Sequence, residues 1–230
     1  MATPENRLIA LLPPKDRTRL HAVAEHVELK LGQVLSEPGK PTRHVYFPVE
    51  GFVSLIATIK GTPGVEVGMV GREGMLGVHL ALGVADAPLH GLVQGDGAAW
   101  RILSSNFGLQ LKSSEALQRG LDQYLYVLMA QLATSAACLR FHLISPRLAR
   151  WLLMTQDRTR TKTFRVTHEF LAYMLGVRRV GITNACGSLH RRGLIQYHRG
   201  NFTVLDRRGL EAAACGCYAT DKKAYRKLMH

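Results

Sequence analysis

The stretch that decides the fold is Val166-Thr-His-Glu-Phe-Leu-Ala-Tyr-Met-Leu-Gly-Val177, which carries the signals of a helix followed by a tight turn. Thr167 offers a side-chain oxygen to the free N–H groups that begin a helix, and Glu169 puts negative charge into the first turn. An apolar face follows, formed by Leu171, Met174 and Leu175. Gly176 is the residue best suited to the left-handed conformation that ends a helix and turns the chain. The sequence therefore predicts a helix that begins after Thr167 and ends at Gly176.

A second helix is predicted to begin at Arg178 and to end at Gly193. Its apolar residues recur at i, i+3, i+4 and i+7, one stripe of a 3.6-residue period: Ile182, Ala185, Cys186 and Leu189. Beyond it, residues 194–198 and 202–205 flank Arg199-Gly200-Asn201 as a β-hairpin. Helix, three-residue turn, helix and hairpin form the pattern of a winged helix-turn-helix, whose second helix is built to enter a DNA major groove.

The distribution of charge supports this interpretation independently. The chain has a formal net charge of +13. Residues 1–139 contain 12 Lys and Arg against 12 Asp and Glu, whereas residues 140–230 contain 18 against 5. A neutral part joined to a strongly basic part indicates that only the C-terminal part meets a polyanion such as double-stranded DNA. The alternative is a solvated basic face without a partner, but here the charge coincides with a groove-reading motif.

Length and composition are those of a soluble protein with two modest domains. The chain has 230 residues, of which 47% are hydrophobic and 20% charged. We expect no apolar run long enough to cross a bilayer, and the N-terminus lacks the apolar core of a signal peptide. Four cysteines are too few and too unevenly placed for a disulfide framework. We therefore expect a cytoplasmic protein with no membrane partner.

Residues 27–111 differ in character from the C-terminal part. Short β-rich runs at 45–47, 52–57, 65–67 and 91–94 alternate with Gly and Pro. Close turn signals with little helical periodicity predict an antiparallel roll or barrel, so the fold class is α+β. We expect a β-roll sensor domain over residues 1–112, a dimerisation helix and hinge over 113–144, and the winged helix-turn-helix domain over 145–230.

A long helix is predicted between the two, because residues 113–140 contain no Pro and one Gly. Leu121, Leu125, Leu128, Leu132, Ser135 and Leu139 follow the 4-3-4-3-4 spacing of a coiled-coil seam. A second stripe is positioned to pack on the roll: Leu117, Leu121, Tyr124, Leu128 and Gln131. A helix that is apolar on two faces needs two partners, so we expect a homodimer whose seam consists of Leu121, Leu125, Leu128, Leu132 and Leu139. The alternative is one wide buried face inside a monomer.

The order of β-roll, long helix, short helix near Pro146 and winged helix-turn-helix resembles the Crp/Fnr family of bacterial transcription regulators along nearly the whole chain. The most specific local matches are Pro146-Arg-Leu-Ala-Arg-Trp-Leu-Leu153 and the stretch from Val166 to Val177. Both are similar to the family signature at the start of the DNA-binding domain. The resemblance implies a homodimer joined by the long helix, a cyclic-nucleotide-binding-like N-terminal domain, a palindromic operator, and contact with RNA polymerase at target promoters.

The resemblance does not extend to the ligand clamp. In relatives that bind cyclic AMP, a Gly-Glu turn and a later Arg-Ser or Arg-Thr pair hold the ribose and the cyclic phosphate. Gly71-Arg-Glu-Gly-Met-Leu-Gly77 is similar to the turn, but Leu89-His90 corresponds to the pair. Leucine there leaves the anion unpaired, at a cost on the order of several kcal/mol. The iron–sulfur branch uses N-terminal cysteines, and none precedes Cys138. We expect neither cyclic AMP nor a cofactor, and the effector is left open.

The second helix contains the candidate DNA-reading residues. Arg178 and Arg179 lie at its positive end, a placement that costs an isolated helix a few tenths of a kcal/mol each and therefore suggests an external anion. The outward face is formed by Val180, Thr183, Asn184, Ser188 and Arg191. Arg179 matches the family's arginine, but Val180 and Asn184 replace residues that read C and G edges in many relatives, which implies a different operator. Asn can pair with adenine, and Val can contact a thymine methyl.

Further contacts are predicted around this helix. Gly181 costs a helix about 1 kcal/mol relative to Ala, which close approach to the groove or tight packing against the first helix would explain. Thr167 and His168 are candidates for phosphate contacts, although capping alone explains Thr167 equally well. In the wing, Arg199 is the candidate for contact with the DNA backbone, because Gly200 and Asn201 are turn-forming residues in any case.

No motif argues for catalysis or for a metal. A Ser/His/Asp elbow, paired catalytic carboxylates and a phosphate-binding Gly-Lys loop are all missing from the sequence. Cys215-Gly-Cys217 supplies two ligands where zinc usually has four, so packing in an Ala-rich helix is favoured. The prediction is a dimeric, sequence-specific transcription regulator that is not an enzyme. Its alternatives are a cyclic-nucleotide-responsive regulator and a non-specific DNA-organising protein.

Overall fold

The computed structural model describes residues 5–61 and 64–229, in which most strands lie in the N-terminal half and most helices in the C-terminal half. They are α1 (Arg7–Ala10), α2 (Pro14–His21), β1 (Glu25–Leu29), β2 (Val34–Ser36), β3 (His44–Glu50), β4 (Val53–Ala57), β5 (Val65–Val70), a 3₁₀ helix (Val78–Leu82), β6 (His90–Val93), β7 (Gly97–Leu103), α3 (Ser104–Ser113), α4 (Glu115–Phe141), α5 (Ile144–Thr159), β8 (Thr163–Arg165), α6 (His168–Met174), α7 (Arg179–Arg191), β9 (Ile195–His198), β10 (Asn201–Val204), α8 (Arg207–Ala213) and α9 (Cys217–Leu228).

The chain divides into two compact units. The first comprises residues up to Leu55, Met69–Met129 and the segment from Tyr225 onward, and the second comprises Ile56–Gly68 and Ala130–Ala224. The division falls inside α4, whereas the sequence suggested boundaries at residues 112 and 144. Those boundaries remain a prediction about how the chain is organised.

The N-terminal half contains the antiparallel sheets that the sequence predicted. One sheet has the strand order β1-β7-β3, with Val27 opposite Ala99 and Phe47 opposite Trp100. The other has the order β2-β6-β4-β5. The α+β class is therefore confirmed. Strands β1, β2 and β7 were not predicted, because β1 is mostly charged and exposed and β7 begins with the weak strand formers Gly97-Ala-Ala.

The first half of α4 completes the core of the first unit. Leu117, Leu121 and Tyr124 are buried together with Phe47 of β3 and Phe107 of α3, so this part of the predicted second stripe is confirmed. One seam residue needs correction. Leu121 is 0% exposed within its own unit, so it has no surface left for a partner subunit and must be removed from the dimer seam.

Helix α4 is also unusual in hydropathy. By length and composition alone it is long and apolar enough to span a membrane, although only one such helix is found among the described residues and its most apolar window is 28% buried. A single helix of this kind is weak evidence for a membrane span. The finding nevertheless corrects the expectation that no apolar run is long enough. The uncovered apolar surface of α4 is also suited to contact with a second protein partner.

The second unit is built on α5. Its side chains Leu148, Trp151 and Leu152 are buried, as predicted for the short helix near Pro146. Helices α7 and α8 pack against α5, and α6 packs against α7. The wing is a three-stranded antiparallel sheet of order β8-β10-β9, in which Phe202 faces Phe164. Strand β8 was not predicted, because three residues are too few to form a recognisable alternating pattern.

Candidate nucleic-acid interface

The first helix of the motif begins and ends where the sequence predicted. The Thr167 hydroxyl oxygen accepts a hydrogen bond from the Phe170 N–H at 3.1 Å and so caps α6. This bond uses a lone pair, so the Thr167 O–H can still donate to an external acceptor. Gly176 has φ +60 and allows the chain to turn after α6. The Val177 N–H then closes the turn by donating to the Ala172 carbonyl at 3.0 Å.

The second helix, α7, has one buried face and one open face. Its predicted apolar stripe is confirmed, since the members are all buried: Ile182, Ala185, Cys186 and Leu189. The residues predicted to face DNA lie on the opposite side: Arg178, Arg179, Val180, Thr183, Asn184 and Arg191 are exposed, and Ser188 is half-buried. Val180 is 63% exposed. An apolar side chain held in solvent on the open face of a helix is suited to contact an apolar group on a partner, such as a thymine methyl.

Positive charge is concentrated at the start of α7. Arg178 is the residue that precedes the helix and Arg179 is its first residue, and both side chains are exposed. The first turn contains no acidic residue. Two guanidinium groups therefore add to the positive end of the helix dipole, which makes this end of α7 attractive to an anion.

His168 connects α6 to α7 and to the wing. The Thr183 hydroxyl donates to the Arg179 carbonyl at 3.2 Å, and its lone pairs face His168 Nδ1 at 3.2 Å. The His168 ring also lies 5.1 Å from the ring of Tyr197, centroid to centroid. Burial and the charge of Arg179 lower the pKa of His168. The lowered pKa disfavours the charged imidazolium, and one ring nitrogen of His168 already contacts Thr183 within the protein. The phosphate contact predicted for His168 stays a prediction.

Gly181 has an intramolecular explanation that the sequence did not reveal. A Cβ atom at this position would lie 2.6 Å from Cδ1 of Ile144, the first residue of α5. The two explanations considered from the sequence were the DNA groove and the first helix of the motif. The close neighbour is instead α5, so Gly181 is needed for packing between α7 and α5, and the helix penalty of glycine needs no DNA contact to explain it.

The wing turn is tighter than predicted. Asn201 is already part of β10, so Arg199 and Gly200 alone connect the strands, with φ +46 and φ +83. Positive φ at both positions defines the two-residue turn that matches the twist of a hairpin. Arg199 is not a glycine, and this conformation costs it roughly 1–2 kcal/mol. Its exposed guanidinium is thereby presented at the tip of the wing.

The loop of the roll that resembles the ribose-binding turn is closely packed. A Cβ atom on Gly74 would lie 2.2 Å from the hydroxyl oxygen of Tyr124, which itself donates to the Met75 carbonyl at 3.3 Å. The Gly71 N–H donates to the Glu73 carboxylate at 3.2 Å. Leu89 is half-buried, and its carbonyl accepts the Ser36 hydroxyl at 3.0 Å. The loop is thus held against α4 by Tyr124, and the Leu89 segment is bonded separately to β2.

A second group of polar side chains lies at the end of α4 and the start of α9. We call it the thiol–histidine cluster; its ligand atoms all lie within 4.8 Å of one another, and its members are Cys138, His142, Cys215 and Cys217. The sequence argument that Cys215 and Cys217 offer only two metal ligands is therefore wrong. Cys138 and His142 precede them by more than 70 residues, and no local spacing connects the two pairs.

Comparison with known proteins agrees with this geometry. A family model described as the Crp-like helix-turn-helix domain matches residues 146–213. A search of curated protein sequences found no match. Among solved structures, FixK2 from Bradyrhizobium japonicum is 14% identical with a TM-score of 0.71, covering 84% of this chain and 98% of its own. A putative Crp/Fnr regulator from Eubacterium rectale is 17% identical with a TM-score of 0.70, covering 91% and 99%. The c-di-GMP responsive regulator CLP from Xanthomonas campestris is 16% identical with a TM-score of 0.67, covering 84% and 99%.

Proposed function

We propose that this protein is a transcription regulator that binds a palindromic DNA operator as a homodimer. The match of residues 146–213 to the Crp-like helix-turn-helix domain and the Crp/Fnr fold of the chain support this proposal. The observation that carries the proposal is the open face of α7, where two arginines, an exposed valine and an exposed asparagine lie opposite a fully buried stripe. The excess of 18 basic over 5 acidic residues in positions 140–230 supplies the attraction for DNA.

Recognition follows from the position of each group on α7. Arg178 precedes the helix and reaches toward the phosphate backbone, whereas Arg179 and Asn184 face the floor of the groove. Arginine pairs with the O6 and N7 atoms of guanine, and asparagine pairs with adenine. Thr167 and Arg199 contact the backbone on either side, from the cap of α6 and from the tip of the wing. Backbone contacts hold the helix in register, and base contacts select the sequence.

Dimerisation is assigned to α4, with a seam shifted from the one first predicted. Tyr126 and Met129 are 59% and 61% exposed. They lie beside Leu125 and Leu132, which are half-buried, and Leu128 and Leu139 are half-buried as well. A helix that presents large apolar side chains to solvent over several turns is suited to pack against its own copy. We assign the seam to this surface, without Leu121.

The two α7 helices of such a dimer would enter successive major grooves about 34 Å apart, one turn of DNA. An effector that favours this separation would shift the population toward the DNA-binding state. The protein would act by binding, with RNA polymerase as its partner at target promoters in the cytoplasm, and not by catalysis. The departure at Leu89 disfavours cyclic AMP as the effector, whose identity stays open.

Selection of bound sequences from a random DNA pool tests the proposal directly. We expect an enriched motif with two inverted half-sites whose centres lie about 10 base pairs apart, because two identical helices related by a twofold axis read the same bases in opposite directions. A DNA-organising protein that uses only its basic half would bind promoter and random DNA equally and enrich no motif. That result would replace the proposal by the non-specific alternative.

A further inference from the structure

The thiol–histidine cluster joins two parts of the second unit that are distant in sequence. Cys138 lies in the last turn of α4, and its carbonyl accepts the His142 N–H at 3.2 Å. The two side chains are thus spaced i, i+4 and lie on one face of the helix end. Cys215 and Cys217 lie at the connection between α8 and α9, where the Cys215 N–H donates to the Pro146 carbonyl at 3.4 Å. Each pair is held by backbone contacts that do not depend on the other pair.

Two distances within the cluster match those between ligands of one small ion, and all four ligand atoms lie within 4.8 Å of one another. Sγ of Cys138 lies 3.5 Å from Sγ of Cys215, and Sγ of Cys217 lies 3.5 Å from Nδ1 of His142. Bonds of about 2.3 Å to sulfur and about 2.0 Å to nitrogen place the ligand atoms of a tetrahedral zinc site about 3.5–3.8 Å apart. An iron–sulfur cube would separate its ligands further, because each ligand binds a different iron. We propose that the cluster binds one Zn²⁺ ion in a tetrahedral Cys₃His site.

The charges around the cluster fit this assignment. Three thiolates and one zinc ion carry a net charge of −1, which would be costly to bury without compensation. Arg147 and Arg150 are buried next to Cys138 and Cys215. Arg147 donates to the Leu175 carbonyl, and Arg150 donates to Asp221 at 2.7 Å. Asp221 offsets the charge of Arg150, whereas the guanidinium of Arg147 donates to a neutral carbonyl, so its positive charge favours thiolates at this position.

The degree of burial fits a structural site that solvent can still reach. Cys138 and Cys215 are buried, and Cys217 is half-buried, so the ion can enter from the side of Cys217. With four protein ligands the site has no open position for substrate, which is typical of structural zinc. The bound ion would join the end of α4 to the α8–α9 connection. This role is independent of whether the protein reads an operator.

The metal content of the full-length protein, purified without a histidine tag under reducing conditions, tests the proposal. We expect about one zinc ion per chain. After replacement of the metal by Co²⁺, we expect the thiolate-to-cobalt charge-transfer band and the intense visible bands of tetrahedral coordination. Removal of the metal with a chelator should lower the temperature of unfolding.

Variants separate a bound ion from simple thiol packing. Cys217→Ala and His142→Ala should each lose most of the zinc and the cobalt bands. The matched control is Cys186→Ala, because Cys186 is the remaining cysteine and lies in the buried stripe of α7 outside the cluster. This variant should retain both signals. The wild-type metal content decides the matter even if a ligand variant fails to fold.

Three results would overturn the zinc assignment. The first is a folded, reduced protein that contains no metal and gives no cobalt bands. The second is iron with acid-labile sulfide in place of zinc, which would identify an iron–sulfur cluster. The third is a Cys138–Cys215 disulfide in protein purified with reductant, which would identify a redox pair.

Discussion

At the scale of single residues, the helix-turn-helix separates side chains that build the domain from side chains that are free to meet a partner. Gly181 makes room for Ile144 and His168 contacts Thr183, and the DNA contacts predicted for both residues stay predictions. Arg178 and Asn184 remain exposed. Arg178 precedes α7, whereas Asn184 lies in its middle. Replacing either residue by alanine should therefore affect DNA binding in a different way.

Arg178→Ala should weaken binding to all DNA alike and reduce the dependence of log K on log salt by about one unit, since one phosphate contact is lost. Asn184→Ala should cost roughly 1–3 kcal/mol on the selected operator and relax selectivity at one base pair of each half-site. Binding titrations at two salt concentrations, together with a selection from random DNA, measure both effects. If Asn184→Ala leaves the selected motif unchanged at every position, α7 does not read bases as proposed.

At the scale of elements, α4 shows how one helix can serve two surfaces. Leu117, Leu121 and Tyr124 are buried in the core of the first unit, whereas Tyr126 and Met129 point into solvent. The heptad spacing of the leucines predicted that both Leu121 and Leu125 lie in the dimer seam. Burial distinguishes them, because a side chain already enclosed by its own unit contributes nothing to an interface.

The double variant Tyr126→Asp/Met129→Asp should therefore produce a folded monomer with much weaker operator binding. Both side chains are exposed in the single chain, so charge is tolerated there but not at an apolar interface. Light scattering measures the mass, and Leu109→Asp is the control, since Leu109 is 63% exposed on α3. The control should remain a dimer. An unchanged dimer mass in the double variant would contradict the proposed seam.

At the scale of the whole molecule, a neutral N-terminal part is joined to a C-terminal part that carries the entire net charge. The fold of the roll is of the Crp/Fnr kind, but the loop from Gly71 to Gly77 is packed on Tyr124 and bonded within itself. Leu89 provides no charge for a phosphate. Fold and ligand are separate properties, since a ligand site depends on a few side chains that the fold does not dictate.

Cyclic AMP and cyclic GMP should accordingly neither bind measurably nor be required for DNA binding. Titration calorimetry with the full-length protein should give only heats of dilution, and operator affinity should be the same with and without nucleotide. Operator binding by the same preparation shows that the protein is folded. A dissociation constant in the micromolar range would show that residues other than Leu89-His90 form the clamp.

The sequence by itself determined the helix-turn-helix almost to the residue. Thr167 caps α6, Gly176 ends it with positive φ, and the stripe of α7 is buried as its period required. These features are predictable because capping, glycine turns and helical periodicity act over a few neighbouring residues. Strands β1, β7 and β8 were missed, because pairing with a distant strand stabilises them and their own composition does not.

Only the tertiary structure decided which surfaces are free and which distant residues meet. It enclosed Leu121, explained Gly181 through Ile144, and brought Cys138 to within 3.5 Å of Cys215 across 77 positions of sequence. Contacts of this kind depend on how whole elements pack, and packing is set by the sum of many weak interactions along the chain. Such contacts between distant residues therefore cannot be predicted from local patterns in the sequence.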